Sequence, residues 1–128
     1  MKGYITNIEK STIKNTDYRR VLYTAKNSQL VLMNIQPGDE IGEEVHHLDQ
    51  FIRIEKGKCK VILDGVEHNM EDDFAVVIPA GTKHNVINIG KVELKLYSIY
   101  SPAEHKDATV HKTKADALEE HFDGITTE

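Results

Sequence analysis

Four side chains that suit a divalent metal ion stand in two distant segments of this sequence. Glu44 and His46 are two residues apart, so both project to one face if the segment is extended. Gln50 has the same parity and enters the same interior if the intervening residues turn back without a frame shift. His84 follows the tight turn predicted at residues 79–81 and opens the next strand. Two imidazoles with carboxylate and amide oxygens from neighbouring strands suit a first-row divalent ion.

Each of these four residues also has a structural interpretation. His46 and His84 could be core or turn histidines that hydrogen-bond to the backbone, and Glu44 could be a solvated carboxylate at a strand end. We favour metal binding for these three. Gln50 stays open between binding the ion and orienting a neighbouring ligand through a hydrogen bond.

The other histidines are predicted to lie outside this group. His47 has the opposite parity to its neighbour and should point outward or into an interface, and His68 should be exposed in a turn region. Irregular spacing on a polar tail favours surface positions for His105, His111 and His121. One further hypothesis folds the tail over the four candidate ligands and presents His111 to the site.

Several other residues that could act chemically are interpreted as structural. Cys59 is the only cysteine, so no intrachain disulfide can form, and its apolar setting favours a buried small residue over a reactive or ligating thiol. Arg53 is expected in a surface ion pair rather than on an anionic substrate. Asn88 should close a backbone turn through its amide, and Tyr97 and Tyr100 should serve core or dimer packing more than substrate contact.

The elements that position these residues are predicted to be short strands. Runs with period-two alternation and many β-branched or aromatic residues recur between turn signals, at a spacing near ten residues. They are RVLYTA, QLVLMNI, FIRIEKG, KCKVILDG, FAVVIPA, HNVINI and ELKLYSIY. The pair Asp64 and Gly65 predicts a two-residue hairpin, because a type I′ turn needs positive φ at both central positions. The pattern is typical of an all-β sandwich or barrel.

The last quarter of the chain has a different pattern. In TKADALEEHF, Thr113 is a plausible N-cap with Asp116 three residues later, and Gly124 is a plausible end. Its apolar residues fall on one helical stripe: Ala115, Leu118 and Phe122. We therefore expect one domain over residues 1–128, with a core barrel at about 19–100 and a C-terminal loop and short amphipathic helix at 101–124.

Composition excludes several classes of function. The 128 residues are 39% hydrophobic and 29% charged, as in an ordinary globular domain, with a net charge of −5. Lys and Arg are scattered, which argues against nucleic acid as a partner. No apolar stretch is long enough to span a membrane, and no secretory signal is visible, so we expect no membrane partner and a cytoplasmic location.

Over roughly residues 30–100, the spacing resembles the two-part signature of the cupin superfamily. The second motif of that family has a Gly, Pro-x-Gly, His and Asn at fixed spacing, and Pro79, Gly81, His84 and Asn88 match it. Asp73 stands where the family usually has the first Gly.

The first cupin motif is present with altered metal positions. Gly38 and Gly57 stand at its two ends. Glu44 takes the place of the first histidine, His46 that of the second, and Gln50 that of the usual glutamate.

The resemblance implies a double-stranded β-helix, the cupin or jelly-roll barrel, with a metal in its mouth and often a homodimer. More narrowly, EVHHLDQFIRIEKG and VVIPAGTKHNVIN look like small bacterial cupins of the mannose-6-phosphate isomerase-like type. The implied metal ligands are Glu44, His46, Gln50 and His84. The ion could be Zn, Ni, Fe, Mn or Co, because a neutral Gln in place of a carboxylate should weaken and broaden metal selection.

Three functions follow from this resemblance. The first is a metal-dependent enzyme, isomerase-like or dioxygenase-like, acting on a small polar metabolite such as a sugar or sugar phosphate. The second is a small-molecule or metal-binding module without turnover. The third is an empty barrel that serves only as a dimerisation unit. Catalytic residues other than the metal ligands are not identifiable from the sequence.

Overall fold

Nine strands and two short helical segments make up the computed structural model, which describes residues 2–118 and 120–128. A helix, α1, covers Ile8–Lys14, and a 3-10 turn covers Lys114–Asp116. The strands are β1 (Arg19–Thr24), β2 (Gln29–Ile35), β3 (Asp49–Lys56), β4 (Cys59–Leu63), β5 (Val66–Met70), β6 (Ala75–Ile78), β7 (His84–Asn88), β8 (Leu94–Ser101) and β9 (Val110–His111).

The strands form two sheets that enclose one apolar core. The larger sheet has the order β6-β3-β8-β2-β1-β9, and the smaller has the order β5-β4-β7. The neighbouring strand pairs are antiparallel in both sheets. Isolated bridges from Glu40 to Ile87 and from Glu44 to His84 extend the smaller sheet beyond β7. This arrangement confirms the predicted all-β jelly-roll barrel.

The predicted alternation decides which side chains form the core. Ile52 and Ile54 of β3 are fully buried, and so are Cys59 and Val61 of β4, as expected from their shared parity. Each aliphatic side chain buried in this way stabilises the fold by roughly 1.5–3 kcal/mol. Burial also raises the pKa of the Cys59 thiol to about 11. The thiol therefore stays protonated and unreactive near neutral pH, in agreement with its predicted structural role.

Left-handed backbone at a few positions explains several turns. Asp64 and Gly65 have φ values of 47° and 82°, which fit the predicted type I′ hairpin. Asp73 has a φ of 72°, a conformation that glycine adopts most easily. This accounts for the glycine that the family pattern usually has at that position, and shows that an aspartate can also occupy it.

The helix α1 was not predicted from the sequence. Asn7 caps it by accepting a hydrogen bond from the backbone N–H of Lys10 at 3.1 Å, and Thr12 is the buried residue of the helix. A helix of seven residues with few apolar side chains has little periodic pattern to detect. It packs on the barrel, where Lys95 of β8 donates to the Asn15 carbonyl at 2.7 Å.

The predicted C-terminal helix is present only as the single 3-10 turn. Its start is as expected, because the Asp116 carboxylate accepts hydrogen bonds from both the N–H and the hydroxyl of Thr113. The backbone is already extended at Ala117, and Leu118 is exposed, so the amphipathic stripe does not form a continuous helical face. Phe122 instead donates its N–H to the Glu104 carbonyl, which ties the tail to the chain after β8. Residue 119 of the predicted helix lies outside the described residues.

Candidate metal centre

Three of the four predicted ligands lie together in the barrel. Glu44, His46 and His84 each offer one ligand atom, and these atoms lie within 4.8 Å of one another. The rings of His46 and His84 have their centroids 5.1 Å apart. Both imidazoles are buried and the carboxylate is half-buried. The cluster could therefore hold a metal ion, as the sequence predicted.

The smaller sheet brings these distant segments together. Glu44 and His84 exchange backbone hydrogen bonds of 2.8 and 2.9 Å, so their side chains start from directly paired positions. The N–H of Gly81 donates to the His46 carbonyl at 2.8 Å. Gly81 has a φ of 85°, which explains the glycine in this turn. Local turn geometry thus holds both histidines at the same end of the barrel.

One hydrogen bond orients the His84 ring. Its Nδ1 lies 2.9 Å from the Thr82 carbonyl oxygen. Because a carbonyl only accepts, Nδ1 must carry the proton and donate it, which leaves the Nε2 lone pair free. Histidines that bind metals are commonly oriented in this way through their other nitrogen. His84 is therefore prepared to act as a ligand.

Gln50 approaches from the larger sheet, at the start of β3. Its side chain is 3% exposed, and its amide nitrogen donates to the Ser98 hydroxyl at 3.2 Å. Its carbonyl oxygen is buried and has no hydrogen-bond partner, and neither does Nδ1 of His46. Buried polar atoms without a partner are costly and uncommon. A cation bound between the sheets would give the Gln50 oxygen a partner, so the residues present fit a metal ion.

Glu44 and His46 form an ion pair, with Oε2 and Nε2 3.3 Å apart. Burial is the largest influence on the pKa of Glu44 and would raise it, but the hydrogen bond from His46 and the positive charges of His46 and Arg19 lower it overall. Burial by itself would lower the pKa of His46, but the hydrogen bond and charge of Glu44 outweigh it and raise the pKa. A divalent ion would take the place of the shared proton.

Two histidines of the tail are buried, which corrects the prediction of surface positions. His105 is 9% exposed and His111 is 8% exposed. His111 belongs to β9 and pairs with Arg19 of β1, a non-local contact that no local pattern signals. The predicted exposed positions of His47, His68 and His121 agree with the structure.

The ring of Tyr100 contacts both His105 and the proposed ligand His46. The Tyr100 ring centroid is 5.9 Å from that of His46 and 5.2 Å from that of His105. Burial, then the charge of Arg19, lowers the pKa of His105 to about 3, so this imidazole is neutral at physiological pH. His105 does not belong to the cluster of close ligand atoms found among the described residues.

Other predicted roles agree with the observed contacts. Arg53 forms ion pairs with the buried Glu55 at 2.9 Å and with the exposed Asp73 at 3.1 Å. Asn88 donates from its amide to the carbonyls of Ile35 and Val92, both at 2.9 Å, and accepts from the N–H of residue 90. This amide therefore closes the turn after β7, while Tyr97 packs against Phe51.

A cavity of about 230 Å³ opens beside Glu44 at the mouth of the barrel. Its polar lining includes Arg19, Glu104 and His105, and the tail contributes Lys114 and neighbouring residues. The sequence did not indicate a role for Arg19. Two arginines stand side by side at residues 19 and 20, and nothing in the local pattern shows which of them faces the mouth. The cavity is below the range of about 300–1,000 Å³ typical of sites for drug-sized ligands, so it suits a smaller molecule.

With this fold and this cluster established, the chain belongs to the cupin family. The family model for the cupin domain matches residues 31–100. The chain is 46% identical over 124 residues to the uncharacterized protein YrkC of Bacillus subtilis, covering 91% of this chain and 67% of that protein. It is 45% identical over 108 residues to the uncharacterized protein L612 of Acanthamoeba polyphaga mimivirus, covering 80% of this chain and 67% of that protein.

A crystal structure of BH2720 from Bacillus halodurans is similar over most of this chain. The TM-score is 0.88 at 46% identity, and the alignment covers 90% of this chain and 92% of that one. Among the described residues there is no helix that is both long enough and apolar enough to cross a membrane.

Proposed function

We propose that this protein is a metal-dependent enzyme that acts on a small polar metabolite. One divalent ion would be held by Glu44, His46, Gln50 and His84. The observation that carries the proposal is the meeting of three ionisable ligand atoms within 4.8 Å, beside a buried amide oxygen that has no partner. The neighbouring group that could otherwise donate to that oxygen is the His46 imidazole, itself a proposed ligand.

Each of the four side chains would contribute differently to binding the ion. Glu44 supplies the one negative charge, His84 is already oriented by Thr82, and Gln50 adds a neutral oxygen from the opposite sheet. When bound, the ion would supply Lewis-acid chemistry to a carbonyl or hydroxyl oxygen of the substrate. A site with a single carboxylate should select weakly among Zn, Ni, Fe, Mn and Co.

The finer proposal is that the substrate is a sugar or sugar phosphate, in keeping with the mannose-6-phosphate isomerase-like type. The small cavity beside Glu44, with its charged and polar lining, supports a compact polar ligand. Isomerase and dioxygenase chemistry are both compatible with an ion at this place. Dependence of activity on Fe(II) and O₂ would favour the dioxygenase.

A second candidate function, binding without turnover, is favoured by the residues next to the ligands. Burial raises the pKa of Tyr100, so its hydroxyl stays protonated, and the pKa of His105 is about 3, so its imidazole stays neutral. The pKa values of both groups therefore lie far from neutral pH, which makes them poorly matched to general acid-base catalysis there. A sensor or storage barrel would not need such a group.

Metal analysis tests the site itself. Protein purified without a histidine tag should contain about one equivalent of a divalent metal by elemental analysis. His46→Asn and His84→Asn should each weaken metal binding by at least about tenfold, the cost of one badly placed ligand. His47→Asn is the matched control, because His47 is adjacent in sequence but exposed. Equal metal content in all of these variants would contradict the proposed site.

Turnover is tested separately with metal-loaded protein. Sugar phosphates, and keto acids with and without O₂, are incubated with the loaded protein, and products are followed by NMR. Conversion that disappears in His84→Asn supports the enzyme. Saturable binding without product in every mixture supports the binding module.

Two further expectations belong to this proposal. The family resemblance implies a homodimer, and the single buried thiol suits a reducing cytoplasm. Sedimentation velocity of the metal-loaded protein measures the first, and a mass near twice 14.5 kDa is the expected result.

A further inference from the structure

Arg19, the first residue of β1, is a buried cation at the mouth of the barrel. Its side chain lines the mouth cavity, yet the residue is 8% exposed and its Nε has no hydrogen-bond partner. One of its terminal nitrogens lies 3.4 Å from Nδ1 of His111, and the guanidinium stands 5.2 Å from the Tyr18 ring centroid. Across residues 2–118 and 120–128, no carboxylate forms an ion pair with it.

The other two arginines of the chain are paired. Arg20 contacts Asp17 at 3.1 Å, and Arg53 contacts Glu55 and Asp73. Both are more exposed than Arg19, so water could screen them even without partners. The most buried of the three arginines is thus the one that forms no ion pair with a carboxylate of the described residues.

Charges near Arg19 in the cavity wall have partners of their own. Lys114 pairs with Asp39 at 3.0 Å, and Glu104 accepts from His121 at 3.0 Å. Glu44 is paired with a histidine of the candidate metal site. The charge of Arg19 reaches Glu44 and lowers the pKa of that carboxyl, but no ion pair joins them. Glu120 also lines the cavity, and among the described residues it too forms no ion pair with Arg19.

The two histidines nearest to Arg19 are neutral and add no second positive charge beside it. Burial, and then the charge of Arg19, lowers the pKa of both His105 and His111, which keeps these imidazoles neutral. His105 also leaves its buried Nε2 without a hydrogen-bond partner. In the tautomer that carries its proton on Nε2, this ring could donate to the same ligand as Arg19.

We propose that Arg19 binds the oxyanion, a carboxylate or a phosphate, of the small molecule that occupies the cavity beside the candidate metal centre. A guanidinium presents several donors in a fixed fork that matches either group, and a partly desolvated site strengthens the contact. The stacking on Tyr18 holds the guanidinium in place but adds no negative charge. This inference rests on the proposed function for the identity of the site and narrows its substrate class to a small anion.

The test uses the full chain in metal-free and metal-loaded forms. Each form is titrated with malonate, with inorganic phosphate and with the neutral analogue malonamide, and binding is measured by calorimetry and by backbone NMR shifts. Wild-type protein should bind at least one anion in preference to malonamide. Arg19→Met should weaken that binding by at least about tenfold, because a charge-assisted hydrogen bond is lost. Arg20→Met, on the same strand but exposed, should bind like wild type.

The outcomes separate the two anions. Loss of malonate binding in Arg19→Met assigns a carboxylate ligand, loss of phosphate binding assigns a phosphate, and loss of both assigns an oxyanion of either kind. Anion binding that is equal in Arg19→Met and wild type, or absent from wild type in both metal states, overturns the proposal.

Two further measurements keep the proposal testable if Arg19→Met does not fold or if the metal site is absent. If Arg19→Met does not fold, the side-chain Nε–H resonance of Arg19 in wild type should still shift on adding the anion, while that of Arg20 does not. An unmoved Arg19 resonance overturns the proposal. Metal content of Arg19→Met should equal that of wild type, and the metal-free form should retain anion binding. Failure of the metal site and failure of the anion site therefore give different results.

Discussion

Replacing Gln50 with methionine should have opposite effects on the metal-free and metal-loaded protein. The substitution keeps the length and approximate volume of the side chain and removes the amide. In the metal-free form the buried Gln50 oxygen has no well-formed hydrogen bond and only the His46 imidazole close by, a defect that costs at most about 1–3 kcal/mol. The change also removes the hydrogen bond to Ser98, which contributes about 1 kcal/mol. The free energy of unfolding should therefore be unchanged or up to about 2 kcal/mol higher.

The loaded form should respond in the other direction. If Gln50 binds the ion, its loss should reduce metal affinity about tenfold, which corresponds to about 1.4 kcal/mol of metal-dependent stabilisation at saturating metal. For a domain of 128 residues, 1 kcal/mol corresponds to about 3–4 °C in Tm. The rise in Tm on adding metal should thus be about 5 °C smaller in the variant.

Differential scanning calorimetry with and without a fixed excess of metal measures both effects. Gln36→Met is the matched control, because Gln36 is exposed and contacts Glu93 rather than the site. An undiminished metal-dependent rise in Gln50→Met would show that Gln50 does not bind the ion. A metal-free variant less stable than wild type by more than about 1 kcal/mol would refute the reasoning from the unpartnered oxygen.

Three further predictions concern the turns and the pH dependence of the site. Asn88→Ala removes three hydrogen bonds from a residue that is 2% exposed, so urea denaturation should show a loss of about 3 kcal/mol, and a loss below about 1 would contradict this role. Gly57→Ala should cost about 2 kcal/mol in the same assay while leaving metal content unchanged, because φ is 114° and the new Cβ would lie 3.1 Å from the Leu94 side chain. The lowered pKa of Glu44 contributes metal-free stability that is lost as pH falls through that pKa, and the raised pKa of His46 contributes stability that is lost as pH rises through that pKa. Because the ion must displace the His46 proton, the metal-dependent rise in Tm should be larger at about pH 8 than at about pH 6, and a rise that is equal at both would argue against His46 as a ligand.

The barrel and the candidate ligands could be predicted because each depends on local rules. Alternation with period two places Ile52 and Ile54 on the same face of β3, and their apolar character makes that face the one expected to be buried. The Asp64-Gly65 pair specifies its turn through φ alone. The spacing of Glu44 and His46 and the turn before His84 similarly determine which side chains share an end of the barrel.

The position of the tail could not be predicted, because it depends on contacts between residues far apart in sequence. His105 and His111 have the polar surroundings of surface histidines, yet the tail pairs with β1 and buries both. The helical pattern after Thr113 was overridden in the same way, since Phe122 bonds to Glu104 rather than continuing a helix. Local propensity is a weak preference that such tertiary contacts readily outweigh.

The sequence by itself therefore determined the double-sheet barrel, its hairpins and the two histidines that meet inside it. These features depend on strand parity and on residues that favour particular turns, and both act over only a few residues. Only the tertiary structure decided that the Gln50 oxygen is buried without a well-formed hydrogen bond, and that Arg19 lies at the mouth with no ion pair to a carboxylate of the described residues. The physical reason is that burial and charge pairing depend on what the opposite sheet and the returning tail place against a side chain. No local pattern carries that information.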